Sequence, residues 1–381
     1  MRLQTLIISA TVTLTASAVP AMRGLRPVVQ PDGSPVMIER VGSARAHATL
    51  DSDGHLLTLA DGYYVPARID EFGRTVRAES LTRFTDADAD RMASATATPR
   101  RSRRALPNAV GKFPGSTFPG FGSPKALVIL VQYSDVKFTL GNKAASYFNA
   151  MLSEPGFSDP TYGGTGSCLD YFTEASMGQF TPDFDVYGPV TLKNSRAYYG
   201  GNDMYGNDRN AHLMAIDACT ELDAEVDFSQ YDTDGDGYID NVFIFYAGQG
   251  EASYGPDDSV WPHAWTIYDA LEGGPCPEFD GVLLNSYGCS NEWESNRPDG
   301  IGTFCHEFSH VIGLPDLYST TTELTCTPGI WSVLDYGPYN NNGRTPPTYS
   351  TFERNAMGWI DLIEITDETE TVTIPDLRTS N

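Results

Sequence analysis

The stretch Thr303-Phe-Cys-His-Glu-Phe-Ser-His-Val-Ile-Gly-Leu-Pro-Asp316 is the one around which the rest of the chain is organised. On a helix, His306 and His310 are four residues apart and share one face, one turn above the other. Two neutral imidazoles at that spacing can bind one Zn²⁺, and Glu307 between them can reach a water on the same metal. Gly313 tolerates the positive φ that ends a helix, and Pro315 forbids its continuation. The chain turning back there brings Asp316 to the metal as a third ligand. Three protein ligands leave a fourth position for water, the catalytic rather than the structural arrangement. A bare H-E-x-x-H also arises as two surface histidines beside an ordinary Glu. The longer H-E-x-x-H-x-x-G-x-x-D string is more specific, because the glycine and the third ligand fall where the geometry needs them.

At 381 residues, with 40% hydrophobic and 20% charged residues, the chain is globular and long enough for two or three folding units. No apolar run of ~18 residues is present to span a membrane. Met1-Arg2, the apolar run Leu6 to Ala16 and the small-residue site Ala16-Ser17-Ala18 predict a secretory signal over 1–18, cut after Ala18 or after Ala21. In an oxidising compartment the six cysteines (Cys168, Cys219, Cys276, Cys289, Cys305, Cys326) are compatible with three disulfides, with Cys305 in the zinc helix open to being a buried thiol. Charge divides the chain. Up to residue 105 there are 14 Arg against 11 acidic residues, leaving 11 basic and 39 acidic residues after it. So acidic a surface argues against nucleic acid and anionic membranes and favours an extracellular, calcium-tolerant protein.

Residues 19–105 read as a separate β-rich unit. Short strands at His47–Leu50, Leu56–Leu59 and Tyr63–Val65 are separated by Asp51-Ser-Asp-Gly54 and Asp61-Gly62 turns. Asp86-Ala-Asp-Ala-Asp90 follows and then Ala93–Pro99, which is poor in large apolar groups and reads as flexible. Arg100-Arg-Ser-Arg-Arg104 follows, a natural site for nicking in an exposed linker. The expectation is a propeptide over 19–105 released at 100–104, or else a permanent domain on a solvated linker, with the catalytic domain over 106–381. In the latter, Lys125–Asp135 and Asn241–Ala247 read as buried strands, with Val282–Tyr287 a third and Asp185–Leu192 a strand interrupted by a turn. Ala144–Leu152, Ser167–Met177, Asn210–Leu222 and Tyr349–Met357 read as helices, the third with Leu213, Ile216 and Cys219 at core spacing. Val372–Ile374 reads as a strand entering something that then stops, as in a truncated chain. The class is α+β, with the zinc helix packed under a mixed sheet.

A second ion site is predicted at Asp232-Thr-Asp-Gly-Asp-Gly-Tyr-Ile-Asp240. Asp232, Asp234, Asp236, the Tyr238 carbonyl and Asp240 fall at positions 1, 3, 5, 7 and 9 of a calcium loop, which here lacks the bidentate Glu at position 12. A Ca²⁺ there is expected to be structural; the other reading is an acidic turn without an ion.

Gly329-Ile-Trp-Ser-Val-Leu-Asp-Tyr-Gly337 completes the pattern. The extended zinc motif followed by Ser-x-x-x-Tyr-Gly resembles the metzincins, in which a turn carrying methionine forms a floor under the metal. Leu334 holds the methionine position, a departure that an apolar, near-isosteric side chain tolerates. More closely, the chain resembles the immune-inhibitor-A-like secreted metalloproteases, on His306–Tyr318, Asp170-Tyr-Phe172, Asp232–Asp240, Trp261-Pro-His-Ala-Trp265 and Ala356-Met-Gly-Trp359. The resemblance implies a zincin or metzincin-like catalytic domain behind a β-rich propeptide, a zinc endopeptidase secreted as a zymogen with bound calcium. On that expectation, His306, His310 and Asp316 hold zinc, Glu307 activates the water, and Tyr336 or His263 stabilises the oxyanion. Partners are protein or peptide substrates and the chain's own propeptide as inhibitor. With no cysteine before Cys168, Asp51, Asp53, His47, His55 or simple steric blocking must provide latency. Two rivals stay open: Glu323 or Glu353 as third ligand, and a non-catalytic, calcium-stabilised binding protein with a vestigial zinc site.

Overall fold

The apolar runs at Lys125–Gln132 and Val242–Gln249 lie side by side as parallel strands, with Val242 opposite Leu127 and Ile244 opposite Ile129. The computed structural model describes residues 17–44, 46–96, 116–159, 161–164, 166–319 and 327–362. Its main sheet runs Ser17–Ala18, His263–Thr266, Ser286–Glu294, Val242–Gln249, Lys125–Gln132, Asp183–Thr191, with Arg297–Pro298 folded back on Ser286–Glu294. The last four of the six are mutually parallel; the first two add an antiparallel edge.

Such strands are apolar throughout because both faces are covered. Val128, Leu130, Phe243 and Phe245 face a core that includes helices Ala144–Ser153, Cys168–Ala175 and Ile301–Val311. Leu127, Ile129, Val242, Ile244 and Tyr246 face a second core with helix Ala211–Leu222. Each fully buried large side chain contributes ~1.5–3 kcal/mol of transfer free energy, so the two cores hold the sheet as one rigid platform.

Several expectations need adjusting. In helix Ala211–Leu222 the buried face carries Met214, Ala215, Ala218, Cys219 and Leu222, while Leu213 and Ile216 are only partly covered. The periodicity is right but the stripe is turned by a residue. Val282–Leu284 and Ser286–Glu294 are two strands in different sheets; the first pairs with Tyr238–Ile239 and Glu278–Phe279. All five described cysteines are free and four are buried, so the expected disulfides are absent among the described residues. Cys326, Glu323, the signal run before Ser17, the basic cluster at 100–104 and the strand at 372–374 lie outside them.

The N-terminal unit is an antiparallel meander of six strands from Arg26–Val29 to Thr75–Arg77. Asp86–Thr96 forms a helix, whose end takes in the described part of the stretch expected to be flexible. Thr85 and Asp88 cap it reciprocally: the Thr85 hydroxyl accepts from the Asp88 amide, and the Asp88 carboxylate accepts from the Thr85 amide. Met92 then anchors it on Ala48, Leu56, Ala67 and Ile69. One large apolar side chain and a capping box suffice where composition suggested none.

Candidate active site

Every residue of helix Ile301–Val311 is buried. At its end Gly313 adopts φ 101°, where a Cβ would be strained, and the chain reverses with the Leu314 amide donating to Ser309 O. The reversal carries Asp316 back over the histidines, as the motif predicted. His306 Nδ1 lies 2.6 Å from the Val333 carbonyl and His310 Nδ1 2.7 Å from the Leu314 carbonyl. A carbonyl only accepts, so both Nδ1 atoms carry a proton, and each ring in its neutral form presents its Nε2 as a lone pair. Those Nε2 atoms are 3.1 Å apart, and Asp316 Oδ1 is 3.2 Å from the first and 3.1 Å from the second. Asp316 Oδ1 is buried and has no hydrogen-bond donor. Three acceptors converging without a proton repel one another unless a cation lies among them. The edge of a tetrahedron with ~2.0 Å metal–ligand bonds is ~3.3 Å, so the donor set and its spacing fit zinc.

Glu307 completes the cluster, its ligand atom within 4.8 Å of those of both histidines. Burial, aided by the Asp316 charge and opposed by His306, pushes its carboxyl up to about 8. Oε1 accepts a 2.8 Å bond from the Val19 amide, whereas Oε2 is buried without a partner. Below the histidines, Leu334 is fully buried in the turn whose Val333 carbonyl orients His306. Glu353 is committed elsewhere, accepting from the Ser332 hydroxyl and the Ser350 amide as half of a capping box, so it is no third ligand.

The cleft is crossed by the chain's own N-terminal stretch. Ser17 and Ala18 extend the sheet antiparallel to His263–Thr266, with Ala18 opposite His263. The Ala18 carbonyl accepts from Tyr318 OH at 2.5 Å, the Val19 carbonyl from Trp261 Nε1 at 2.8 Å and the Pro20 carbonyl from Tyr339 OH at 2.6 Å. The Ala18–Val19 bond is thus held at its oxygen by Tyr318 and at its nitrogen by Glu307. This is also the junction at which the leader was expected to end.

Two expected participants have other partners here. His263 is buried with Nδ1 2.6 Å from Trp261 O and Nε2 2.8 Å from Tyr287 OH. Burial lowers its pKa to about 4, so it is a neutral structural histidine and not an oxyanion donor. The Tyr336 ring lies 3.8 Å beneath the Arg23 guanidinium. The latency candidates do not reach the metal ligands. Asp51, Asp53 and His55 close their own turn, and His47 stacks on Trp261 at 4.7 Å with Nε2 3.3 Å from Glu251. Tyr318, Trp261 and Tyr339 were not singled out by sequence, although the first two lie within the quoted motif stretches.

In the second predicted site, Asp232, Asp234 and Asp240 converge, their ligand atoms within 4.8 Å of one another. The Asp236 carboxylate instead accepts from the Tyr238 amide. Burial pushes the Asp240 carboxyl up to about 7, with Asp232 and Asp234 adding to the rise, a balance a cation would reverse.

The sequence profile of the immune inhibitor A peptidase M6 catalytic domain matches residues 122–360. Immune inhibitor A of Bacillus thuringiensis subsp. alesti is 28% identical over 288 residues, 63% of this chain and 41% of that protein. The pre-pro-metalloprotease PrtV of Vibrio cholerae serotype O1 (strain M66-2) is 26% identical over 245 residues, 56% of this chain and 27% of its own length. The chain thus spans less than half the length of either relative. With more than half of its residues inside the profile, the chain belongs to the immune inhibitor A peptidase M6 family.

Proposed function

We propose that this chain is a secreted, zinc-dependent endopeptidase made as a zymogen, in which Glu307 moves the proton. The observation that carries the reading is a buried glutamate, Glu307, beside three converging donor atoms of His306, His310 and Asp316. His306, His310 and Asp316 would hold the zinc, which when bound lowers the pKa of a water and polarises the scissile carbonyl. Glu307, whose Oε2 has no partner, takes the proton of the attacking water and passes it to the leaving amine. The parallel sheet with its antiparallel edge, the buried helix and the Leu334 turn support a metzincin-like domain. Tyr336 becomes available to the oxyanion once Arg23 leaves its ring. Asp232, Asp234, Asp236, the Tyr238 carbonyl and Asp240 would hold a structural Ca²⁺ that fixes the turn before Val242. An intact, buried Glu307 argues against the vestigial-site alternative. Among the described residues no helix is long and apolar enough to cross a membrane.

Metal analysis and N-terminal sequencing of secreted material test the reading together. One zinc and one calcium per chain are expected, with casein digestion appearing as the N-terminal unit is released near 100–104 and vanishing with chelator. Chelator-resistant digestion, or metal-replete material that never digests casein, would sink it.

Latency in this reading comes from occupancy of the cleft by the chain from Val19 onward, whose nitrogen meets Glu307 and whose first carbonyls meet Trp261 and Tyr339, anchored by the N-terminal domain. Arg40, only 2% exposed, donates to the carbonyls of Glu251 at 2.6 Å and Gly255 at 2.8 Å and pairs with Asp257. Breaking a buried pair costs ~3 kcal/mol, or on the order of 100-fold in the docking equilibrium. Arg40→Ala is expected to raise the activity of unprocessed material by roughly that factor; unchanged latency would remove Arg40 as the anchor.

A further inference from the structure

We infer that the loop over residues 250–257 builds a guanidinium-binding pocket beside the cleft, filled by Arg40 in the unprocessed chain and by a substrate arginine once the N-terminal unit has left. The inference goes beyond the proposed function and rests on its release step.

Arg40 belongs to strand Pro35–Ser43 of the N-terminal unit, yet the acceptors around its buried guanidinium belong to the catalytic domain. Nη1 donates to the Glu251 and Gly255 carbonyls, and Nη2 pairs with the Asp257 carboxylate. Two carbonyls and a carboxylate suit a planar fork of donors, which an ammonium point charge matches less well. These acceptors do not owe their positions to Arg40. The Ser253 and Gly255 amides both donate to the Gly250 carbonyl, at 3.2 and 2.9 Å, and the Tyr254 amide to that of Glu251 at 3.2 Å. A Cβ at Gly255 would stand 2.5 Å from the Gly250 oxygen, so the loop is closed tightly on itself. On the far side Asn202 Nδ2 donates to the Asp257 carbonyl at 3.2 Å. All of these bonds lie inside the catalytic domain and stay when the N-terminal unit goes.

Release strips the pocket of its cations. Among the described residues the ion-pair partners of Asp257 and Glu251 are Arg40 and His47, both on the N-terminal unit, as is Tyr64, whose hydroxyl donates to Asp257. Two carboxylates and two carbonyls are then left with a shape made for a guanidinium and none in place. Such a concavity of one charge sign attracts a basic group. The pocket also borders the path of a polypeptide in the cleft. Ala252, next to Glu251, accepts from the Met22 amide at 2.9 Å, three residues after Val19 meets Glu307. A substrate following that path runs along the loop that builds the pocket.

The test uses secreted, processed enzyme and a donor–quencher peptide taken from casein that it cuts. One arginine is moved residue by residue through both flanks of the cut bond, each time against its citrulline counterpart, which keeps the shape and loses the charge. At one position, or two adjacent ones, arginine is expected to exceed citrulline by about tenfold or more in kcat/KM, as a charge-assisted hydrogen bond supplies. Asp257→Asn should bring that ratio to within about threefold. Because the ratio is taken within one preparation, a variant that folds poorly still reports it. A scan with no position above about threefold, or a preference that survives Asp257→Asn, would overturn the inference. The full chain gives a second readout. Millimolar ethylguanidinium should raise the Tm of Arg40→Ala more than ethylammonium does and leave wild type unmoved; equal responses would count against the pocket. Loss of the arginine preference alone leaves latency standing. If instead unprocessed wild type cuts casein as fast as processed enzyme, the zymogen reading has failed and the inference falls with it.

Discussion

Glu307→Gln is expected to bind zinc as wild type does and to hydrolyse peptides at least ~10³-fold more slowly, within the range general acid–base catalysis supplies. The substitution preserves size, and an amide oxygen can still accept from the Val19 amide where Oε1 does now. What disappears is the lone acceptor at the buried, unpartnered Oε2. Structural explanations for the loss are therefore controlled within the same molecule: latency, zinc content and thermal stability should all persist. Stopped-assay peptide cleavage with parallel metal analysis measures it, and more than a tenth of wild-type activity in a zinc-replete variant would eliminate Glu307 as the base.

Asp316→Ala is expected to weaken zinc binding by ~10³-fold or more, beyond the 10–100-fold typical of residues that only orient ligands. Its stability signature is more telling. Zinc at 100 times its dissociation constant stabilises a folded protein by ~2.7 kcal/mol, and the variant should lose that gain. Without metal, the buried Asp316 carboxylate still has the two Nε2 atoms at 3.1–3.2 Å, and against its burial the histidines hold its carboxyl well below the usual carboxylate range. Removing it takes that interaction away, so metal-free Asp316→Ala is expected to be somewhat less stable than metal-free wild type, with the lost zinc gain coming on top. Thermal unfolding with and without zinc checks both halves. A variant that is stabilised by zinc as much as its parent would mean that Asp316 holds the fold rather than the ion.

The convergence of His306, His310, Asp316 and Glu307 was legible because it is local. One helix and one glycine reversal determine it, and both are governed by spacing within fourteen residues. The strands at 125–132 and 242–249 were legible for a related reason, since burial on both faces leaves an unbroken apolar run. What could not be read depends on distant partners. Tyr318 meets Ala18 across 300 residues and Glu307 meets Val19 across 288. No periodicity encodes such pairs, and the residues involved resemble an ordinary leader end. His263 illustrates the converse: its neutrality follows from burial and from Trp261 and Tyr287, which a residue type alone does not reveal.

The edge strand His263–Thr266 is four residues long and is covered on its open side by Ser17–Ala18. When that cover departs, a row of unsatisfied main-chain donors and acceptors faces solvent, blind to side-chain identity. Such a border pairs with extended polypeptide whatever its side chains and invites self-association. Its brevity is the safeguard: four residues register a passing chain but are too few to seed a growing fibril.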